Sequence, residues 1–343
     1  MTTENIVDRL RPEPQVALPK NHLGLTWKRL EPSDLAEVAA LIRVCGAFDE
    51  SLHSVNDQRL ATFAEFNLGV IPAEAIVGRD GAGQLQAFAA VEIQIPDPHL
   101  ARAEVMAFIS PDFRGRGIGR AVLKWQEARA RQLFVETLGV DSTLEVRLAN
   151  LVDAHMADRR RLYTAAGFRP VRTFDVMYHQ YEQAKVAVSQ PRNGYQIKPW
   201  TVVSEATLQR LHDEAFLDHW GTLEEARSWW SLSRPALDPR WSFAAFSPEG
   251  ELAGYVMVCR HPARWLQAKR SEAYIELLGV SPQARAHGLG KALLTHAMAA
   301  VQSAGISAIG LDVDKDNPHG AREFYQRMGF TSVGEQIYFA LDL

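Results

Sequence analysis

The chain has 343 residues, of which 47% are hydrophobic and 23% charged, and its formal net charge is −4. This length favours about two domains of roughly 150 residues each, and the small negative charge gives no sign of the basic face by which proteins bind nucleic acid. Cys45 and Cys259 are the only cysteines. The sequence therefore supports neither a disulfide framework nor a cysteine-rich metal site, and it fits a reducing cytoplasm.

The N-terminal residues 1–22 are polar and contain proline, which predicts an extended arm or partly ordered extension rather than part of a core. They lack the apolar centre of a signal peptide, and the chain has no run of about 18 apolar residues. We therefore expect a cytoplasmic protein that does not bind a membrane.

Periodicity, caps and turn residues predict a first unit over residues 23–182. Its predicted elements are, in order, a strand at 25–30, a helix from Ser33 or Asp34 to Ile42, a helix at 57–66, strands at 75–77, 86–95 and 103–109, a helix to about Phe134, a strand at 143–148, a helix ending near Ala166 and strands closing at Tyr181.

A linker is predicted at 183–193, and the same order of elements recurs over residues 194–343. The predicted elements of this second unit are a strand at 195–199, helices at 204–216 and 223–230, strands at 241–246, 252–260 and 273–280, a helix at 289–304, a strand at 308–313, a helix at 319–328 and strands to the C-terminus.

The repetition is visible in a short glycine-rich loop that follows a strand and precedes a helix in each unit. The loop reads Arg114-Gly-Arg-Gly-Ile-Gly119 in the first unit and Arg285-Ala-His-Gly-Leu-Gly290 in the second, and the spacing from Arg to the last Gly is the same. Further along, Tyr163 precedes Gly167-Phe168 as Tyr325 precedes Gly329-Phe330. Repetition over so long a period indicates duplicated domains.

The loops suit a bulky anion such as a diphosphate. Glycine lets the backbone approach the anion closely, and the following helix directs unpaired N–H groups and its positive dipole end at it. Neither loop is a nucleotide-triphosphate loop, because Arg285 replaces the first Gly and Ala292 the Ser or Thr. The dinucleotide fingerprint fails as well, because its third Gly would fall on Ala121 or Ala292.

These motifs resemble those of the GCN5-related N-acetyltransferases (GNAT), whose loop pattern is Arg or Gln, two residues, Gly, one residue, Gly or Ala. The resemblance covers about residues 24–343 and includes the strands 105–109 and 276–280 and the closing motif at 317–330. It implies an α/β (α+β mixed sheet) protein made of two tandem GNAT folds, each a mostly antiparallel twisted sheet flanked by helices. Two copies of this size resemble the mycothiol synthase type of double acetyltransferase.

The resemblance implies acetyl-CoA, or a related acyl-CoA, as donor. The residues expected to bind it are those of the two strand ends, the two loops and one residue after the next strand: Leu278, Gly279, Val280, Arg285, Ala286, His287, Gly288, Leu289, Gly290, Lys291 and Asn317 in the second unit, and Ala107, Phe108, Ile109, Arg114, Gly115, Arg116, Gly117, Ile118, Gly119 and Arg120 in the first.

Acyl transfer to an amine needs a base for the amine, oxyanion stabilisation and a proton for the leaving thiolate. By the resemblance, Tyr325 supplies that proton, and Tyr163 is its counterpart. Glu276 lies two residues before Leu278, so strand alternation places it on the same face and makes it the favoured base. Asp312 is a less favoured candidate, and either carboxylate could instead be an ordinary strand side chain.

The first unit departs from the pattern, because the stretch from Asn150 to Tyr163 is longer than that from Asn317 to Tyr325. We therefore expect both units to bind donor and the second to be the main catalyst.

The acceptor pocket is expected around Asp218, His219 and Trp220, whose carboxylate, imidazole and aromatic groups suit a cationic amine. A helix end with core tryptophans explains the same residues almost equally well. His219 has no second ligand at metal-binding spacing, so no metal is expected.

The sequence thus predicts an N-acetyltransferase acting on a small-molecule amine. The alternatives are a protein or peptide N-acetyltransferase and a non-catalytic acyl-CoA-binding regulatory protein. The oligomeric state is not predicted.

Overall fold

The computed structural model describes residues 4–21, 24–52, 74–94, 100–216, 230, 233–262, 265 and 269–343. The helix predicted at 57–66 and most of that predicted at 223–230 lie outside these ranges. The described residues form two compact units, 1–174 with 334–343, and 175–333. No helix in the described ranges is long and apolar enough to cross a membrane.

The described residues of the first part of the chain form four α-helices and five strands. They are α1 (Ile6–Leu10), β1 (Thr26–Arg29), α2 (Leu35–Phe48), β2 (Ala75–Arg79), β3 (Leu85–Ile93), β4 (Leu100–Ile109), α3 (Ile118–Leu138), β5 (Glu145–Asp153) and α4 (Ala157–Ala165).

The elements that follow repeat this order. They are β6 (Arg169–Gln180), β7 (Gln196–Pro199), α5 (Glu205–Ala215), β8 (Phe243–Phe246), β9 (Leu252–Arg260), β10 (Glu272–Val280), α6 (Leu289–Ser303), β11 (Ala308–Asp314), α7 (Ala321–Arg327) and β12 (Thr331–Asp342).

Each unit has the same sheet plan, which confirms the predicted mixed α/β class. In the first unit β1 to β4 pair antiparallel in sequence order, β5 joins β4 in parallel, and β12 pairs antiparallel with β5. In the second unit β7 to β10 pair antiparallel, β11 joins β10 in parallel, and β6 lies next to β11. The order of pairing is therefore duplicated together with the sequence motifs.

The last strand of each sheet comes from an unexpected part of the chain, so the compact units differ from the predicted ranges 23–182 and 194–343. Residues 334–343 complete the first unit, where Phe339 is buried in the core and Gln336 donates to Asp153 at 2.7 Å. Residues from Asp175 onward belong to the second unit, where Asp175 accepts from Arg322 at 2.7 Å and from Ser332. The sequence could not show this exchange, because the closing strands of both units have the same pattern.

The segment predicted as a linker, 183–193, forms no helix or strand and packs on α6 of the second unit. The backbone N–H of Val186 donates to Gln302, and that of Ser189 to Thr295 at 3.0 Å.

The N-terminal segment is part of the first unit's core, so the expectation of an arm outside any core is wrong. Ile6 and Leu10, on one side of α1, are fully buried in the same cluster as residues of α3. The N–H of Ile6 donates to the carbonyl of Ser142 at 2.7 Å, and Arg131 donates to the carbonyl of Leu10. Two apolar residues spaced four apart were the available signal.

We expect Leu10→Ala to lower the free energy of unfolding of the first unit by about 2 to 4 kcal/mol, because it removes a fully buried side chain. Leu18→Ala is the matched control, because Leu18 is 38% exposed and should cost less than about 1 kcal/mol. Urea unfolding of the full chain measures both. Equal effects would contradict the docking of α1.

Candidate acyl-transfer site

The two predicted loops both lie at the start of a long helix that no side chain caps. Gly117 precedes α3 with φ 88° and Gly288 precedes α6 with φ 78°. In the same loops Gly115 has φ 74° and Ala286, its counterpart, φ 68°. These left-handed conformations direct the chain into the helix and leave its first N–H groups available to an anion.

Next to each loop, two parallel strands separate. In the second unit the pairing of β10 with β11 ends at Ile275 and Leu311, before Leu278, Gly279 and Val280. In the first unit the pairing of β4 with β5 ends at Glu104 and Ala149, before Ala107, Phe108 and Ile109. Beyond these points the backbone groups of β10 and β4 are not in the parallel ladder, so an extended amide-containing chain can pair with them.

In the first unit, side chains of the protein already form hydrogen bonds at the end of β4, next to the gap. In the first unit the carbonyl of Ile109 accepts from Arg114 Nε at 2.9 Å and from Cys45 Sγ at 3.3 Å. The guanidinium of Arg114 also pairs with Asp49, at 2.5 Å and 3.0 Å, and Arg159 pairs with the same carboxylate. The phosphate-binding role expected for Arg114 must therefore compete with this internal ion pair.

The remaining loop residues have simpler surroundings. Arg116 stacks on the ring of Phe113 at 4.6 Å, and Arg120 and Lys291 are exposed. His287 contacts the segment before β7, where its ring stacks with Tyr195 at 5.0 Å and its Nδ1 is 2.8 Å from Asn193.

Asn317 shapes the turn after β11. Its side-chain oxygen accepts from the N–H of His319 at 2.9 Å, and its carbonyl accepts from Gly320 at 3.3 Å.

The paired tyrosines have different partners. Tyr163 is buried, and its hydroxyl oxygen accepts from Asn150 Nδ2 at 2.5 Å. Tyr325 packs edge-on against Phe330 at 5.7 Å, next to the cluster that contains Leu278 and Val280, and within the described residues its hydroxyl has no hydrogen-bond partner. Burial raises the pKa of Tyr325 to about 12. Its phenol therefore stays protonated at neutral pH, with a free donor.

Glu276 occupies a β-bulge, so the prediction that its side chain lies on the same face as Leu278 is wrong. Opposite β9, Ile275 faces Val258 and Leu277 faces Met257, which leaves Glu276 without an opposing residue. Leu278 packs with the core under α6, whereas Glu276 Oε1 is 2.7 Å from Nε2 of His261, the residue that follows β9. The bulge adds one residue, and every side chain before it changes phase relative to the loop.

The corresponding pair of strands in the first unit, β3 and β4, pairs continuously from Ile93 and Ala103 to Ala87 and Ile109. β10 therefore has a bulge in its pairing with β9, whereas the corresponding strand β4 has none in its pairing with β3 from Ala103 to Ile109.

Asp312, the second carboxylate, lies across the gap on β11. It is exposed, and its Oδ1 accepts from the hydroxyl of Tyr274 at 2.6 Å. Tyr274 lies opposite Gly310, where a Cβ would come within 2.9 Å of the tyrosine ring. Only glycine therefore leaves room for the tyrosine to reach Asp312.

The acceptor residues Asp218, His219 and Trp220 lie outside the described residues. Nearby in sequence, Trp230 is buried, stacks with Trp200 at 5.7 Å and meets Tyr255 edge-on. This tryptophan belongs to a packed aromatic cluster.

Sequence reasoning missed Cys259 and His261, which lie near Glu276. The ligand atoms of these three side chains lie within 4.8 Å of one another, the sort of cluster that can hold a metal ion. The available signal was the Cys-x-His spacing at the end of β9, which places both side chains on one face if the chain stays extended past Arg260.

Two family models match the chain, and their ranges correspond to the repeated units. The acetyltransferase (GNAT) family model matches residues 206–330, and the acetyltransferase (GNAT) domain model matches residues 72–170. The chain is a tandem GNAT-type N-acetyltransferase. This confirms the family and the tandem arrangement predicted from the loops.

Similar proteins agree with this assignment. A mycothiol acetyltransferase of Mycobacterium leprae is 26% identical over 337 residues, which cover 92% of this chain and 98% of that protein. One of Paenarthrobacter aurescens is 38% identical over 102 residues, or 30% of this chain and 31% of that protein. The crystal structure of a GCN5-related N-acetyltransferase from Sphaerobacter thermophilus, 21% identical, has a TM-score of 0.70 and covers 95% of this chain and 97% of that one.

Proposed function

We propose that this tandem GNAT protein transfers the acetyl group of acetyl-CoA to an amine of a small molecule, with the second unit as the main catalyst. The observation that carries the proposal is the contrast between the two tyrosines: the Tyr325 hydroxyl has no hydrogen-bond partner among the described residues, whereas that of Tyr163 is bonded to Asn150. Full-length relatives named mycothiol acetyltransferase support an acceptor amine related to mycothiol.

The donor would bind with its diphosphate at the uncapped N-terminus of α6 and its pantetheine arm in the gap between β10 and β11. A helix N-terminus favours negative charge, and the free backbone groups after Ile275 can pair with the amides of the arm. The thioester would then lie against Leu278 to Val280, where a backbone N–H can stabilise the tetrahedral oxyanion.

The proton transfers would use two side chains of the second unit. Glu276 takes a proton from the ammonium, the neutral amine attacks the thioester carbon, and the C–S bond breaks. Tyr325 donates a hydrogen bond to the departing thiolate, and the remaining amine proton passes to that sulfur through the tyrosine hydroxyl or solvent, so one proton is released overall. With a pKa of about 12, Tyr325 is a weaker acid than an ordinary thiol of about 8.5, so it acts mainly as a hydrogen-bond donor to the developing charge.

An acceptor screen with release of the CoA thiol as readout tests the function as a whole. We expect turnover with a mycothiol-related amine or another small primary amine. Turnover with peptide N-termini or lysine side chains alone would favour a protein acetyltransferase, and donor binding without transfer to any acceptor would indicate a regulatory protein.

The proposed donor site predicts that Gly288→Val weakens acetyl-CoA binding at least tenfold, because a β-branched residue is strained at φ 78° and fills the cradle. Gly305→Val is the matched control, since Gly305 has φ 73° and follows the C-terminal end of α6, at the opposite end of that helix from the loop. Calorimetry in a Gly117→Val background isolates the second unit. Equal affinities of the two variants would argue against this site.

The proposed leaving-group donor predicts that Tyr325→Phe lowers kcat by roughly 10²-fold. Tyr163→Phe, the matched control, should leave kcat within a factor of about two, because that hydroxyl serves Asn150 within the first unit. Steady-state kinetics with saturating donor compares them. A larger loss in Tyr163→Phe would reverse the assignment of the catalytic unit.

The proposed base predicts that Glu276→Gln lowers kcat by roughly 10² to 10⁴ and flattens the acidic limb of the pH–rate profile, with donor affinity retained. Asp312→Asn should have a much smaller effect, because Asp312 already accepts the Tyr274 hydroxyl. If Asp312→Asn gives the larger loss, the base is Asp312.

A further inference from the structure

Glu276 and His261 form a pair in which the more exposed member is the carboxylate. The side chain of Glu276 is 25% exposed and that of His261 is 5% exposed, with 2.7 Å between Oε1 and Nε2. Within the described residues, the second carboxylate oxygen, Oε2, has no hydrogen-bond partner. The pair therefore presents one free carboxylate oxygen outward, and the imidazole holds the other from behind.

The bulge explains why the side chain of Glu276 needs the contact with His261. A residue in a regular strand is oriented by the ladder on both sides, but Glu276 has no opposing residue on β9. His261 lies beyond Cys259, whose opposing residue is Tyr274, so the imidazole reaches the bulge from the neighbouring strand. Since a bulged residue is less constrained by its backbone, a side-chain contact is needed to fix its direction.

The remaining ring nitrogen identifies the protonation state. His261 Nδ1 is buried and has no hydrogen-bond partner among the described residues. An imidazolium would add an N–H donor without an acceptor at Nδ1, which costs more than a bare lone pair. His261 is therefore neutral with its proton on Nε2, and it donates that proton to Glu276 Oε1.

We propose that His261 is a positioning residue for the acyl transfer: it fixes the bulged Glu276 so that Oε2 faces the acceptor amine. This inference rests on the proposed function and adds a residue to it. His261 does not touch the reacting atoms, and its contribution passes through Glu276 alone.

A metal ion bound by Cys259, His261 and Glu276 is the competing explanation. The 2.7 Å separation of Nε2 and Oε1 fits a shared proton, and Cys259 Sγ donates to the carbonyl of Ser233 at 3.3 Å. Burial raises the pKa of the Cys259 thiol, which opposes the thiolate that a metal needs. These contacts favour the hydrogen-bonded pair.

The test is a double-mutant cycle on the full chain. We expect His261→Leu to lower kcat roughly tenfold to a hundredfold with the donor KM unchanged, and His261→Gln to recover most of the loss, because the Gln amide can donate to Oε1. In a Glu276→Gln background, His261→Leu should cost little more. His212→Gln is the control, since His212 is equally buried in the neighbouring cluster but bonds Tyr255; its effect should be the same in both backgrounds.

Two further measurements distinguish a failure of this proposal from a failure of the proposed function. Nitrogen-15 NMR of histidine-labelled protein should show His261 neutral with the proton on Nε2, and a changed signal in Glu276→Gln. Additive losses in the cycle, no rescue by Gln, or an equivalent of bound zinc that is lost in His261→Leu would overturn the proposal. A wild-type protein that transfers no acetyl group to any acceptor would instead overturn the proposed function, and the NMR signal would still report the hydrogen bond.

Discussion

The separation of two parallel strands is the constraint on which the second unit's site depends. β10 and β11 share a ladder only from Glu272 to Ile275, and the backbone beyond that point must find other partners. Backbone N–H and C=O groups that are buried without a hydrogen-bond partner are energetically costly. Here they lie between the uncapped end of α6 and the two candidate carboxylates, so the same break in pairing that weakens the sheet creates the place where an extended donor can bind.

The two units share one arrangement of strands and helices but differ in the contacts around their glycine-rich loops. In the first unit the corresponding gap carries an internal network, with Arg114 bonded both to the carbonyl of Ile109 and to Asp49. In the second unit the guanidinium of Arg285 reaches the carbonyl of Ala215 instead. The bulge at Glu276 adds a further difference, because an extra residue in one strand turns a carboxylate out of the core. The two loops are thus alike in sequence, while the contacts beside them differ.

The sequence predicted most of the fold because its signals are local. The glycines at 117 and 288, the apolar stripe of α6 and the continuous apolar run of β9 each identify an element without knowledge of its neighbours. The site was less predictable. The bulge that redirects Glu276 arises from pairing with a distant strand, and the contact with His261 follows from it. The burial of Ile6 and Leu10 was missed for a related reason, since a five-residue helix acquires its stability from the surface it covers.

The closing strand of the first unit has a consequence for how the protein is made. Residues 334–343 leave the ribosome well after the rest of the first unit, yet they complete a sheet whose other strands emerged long before. At the usual rates of synthesis the edge of β5 must wait on the order of ten to thirty seconds for its neighbour. During that interval Phe339 is missing from the core, and an unpaired strand edge is open to other chains. Truncation near the C-terminus would therefore damage the N-terminal unit first, and a chaperone that shields this edge during translation would act on the half of the protein that is already synthesised.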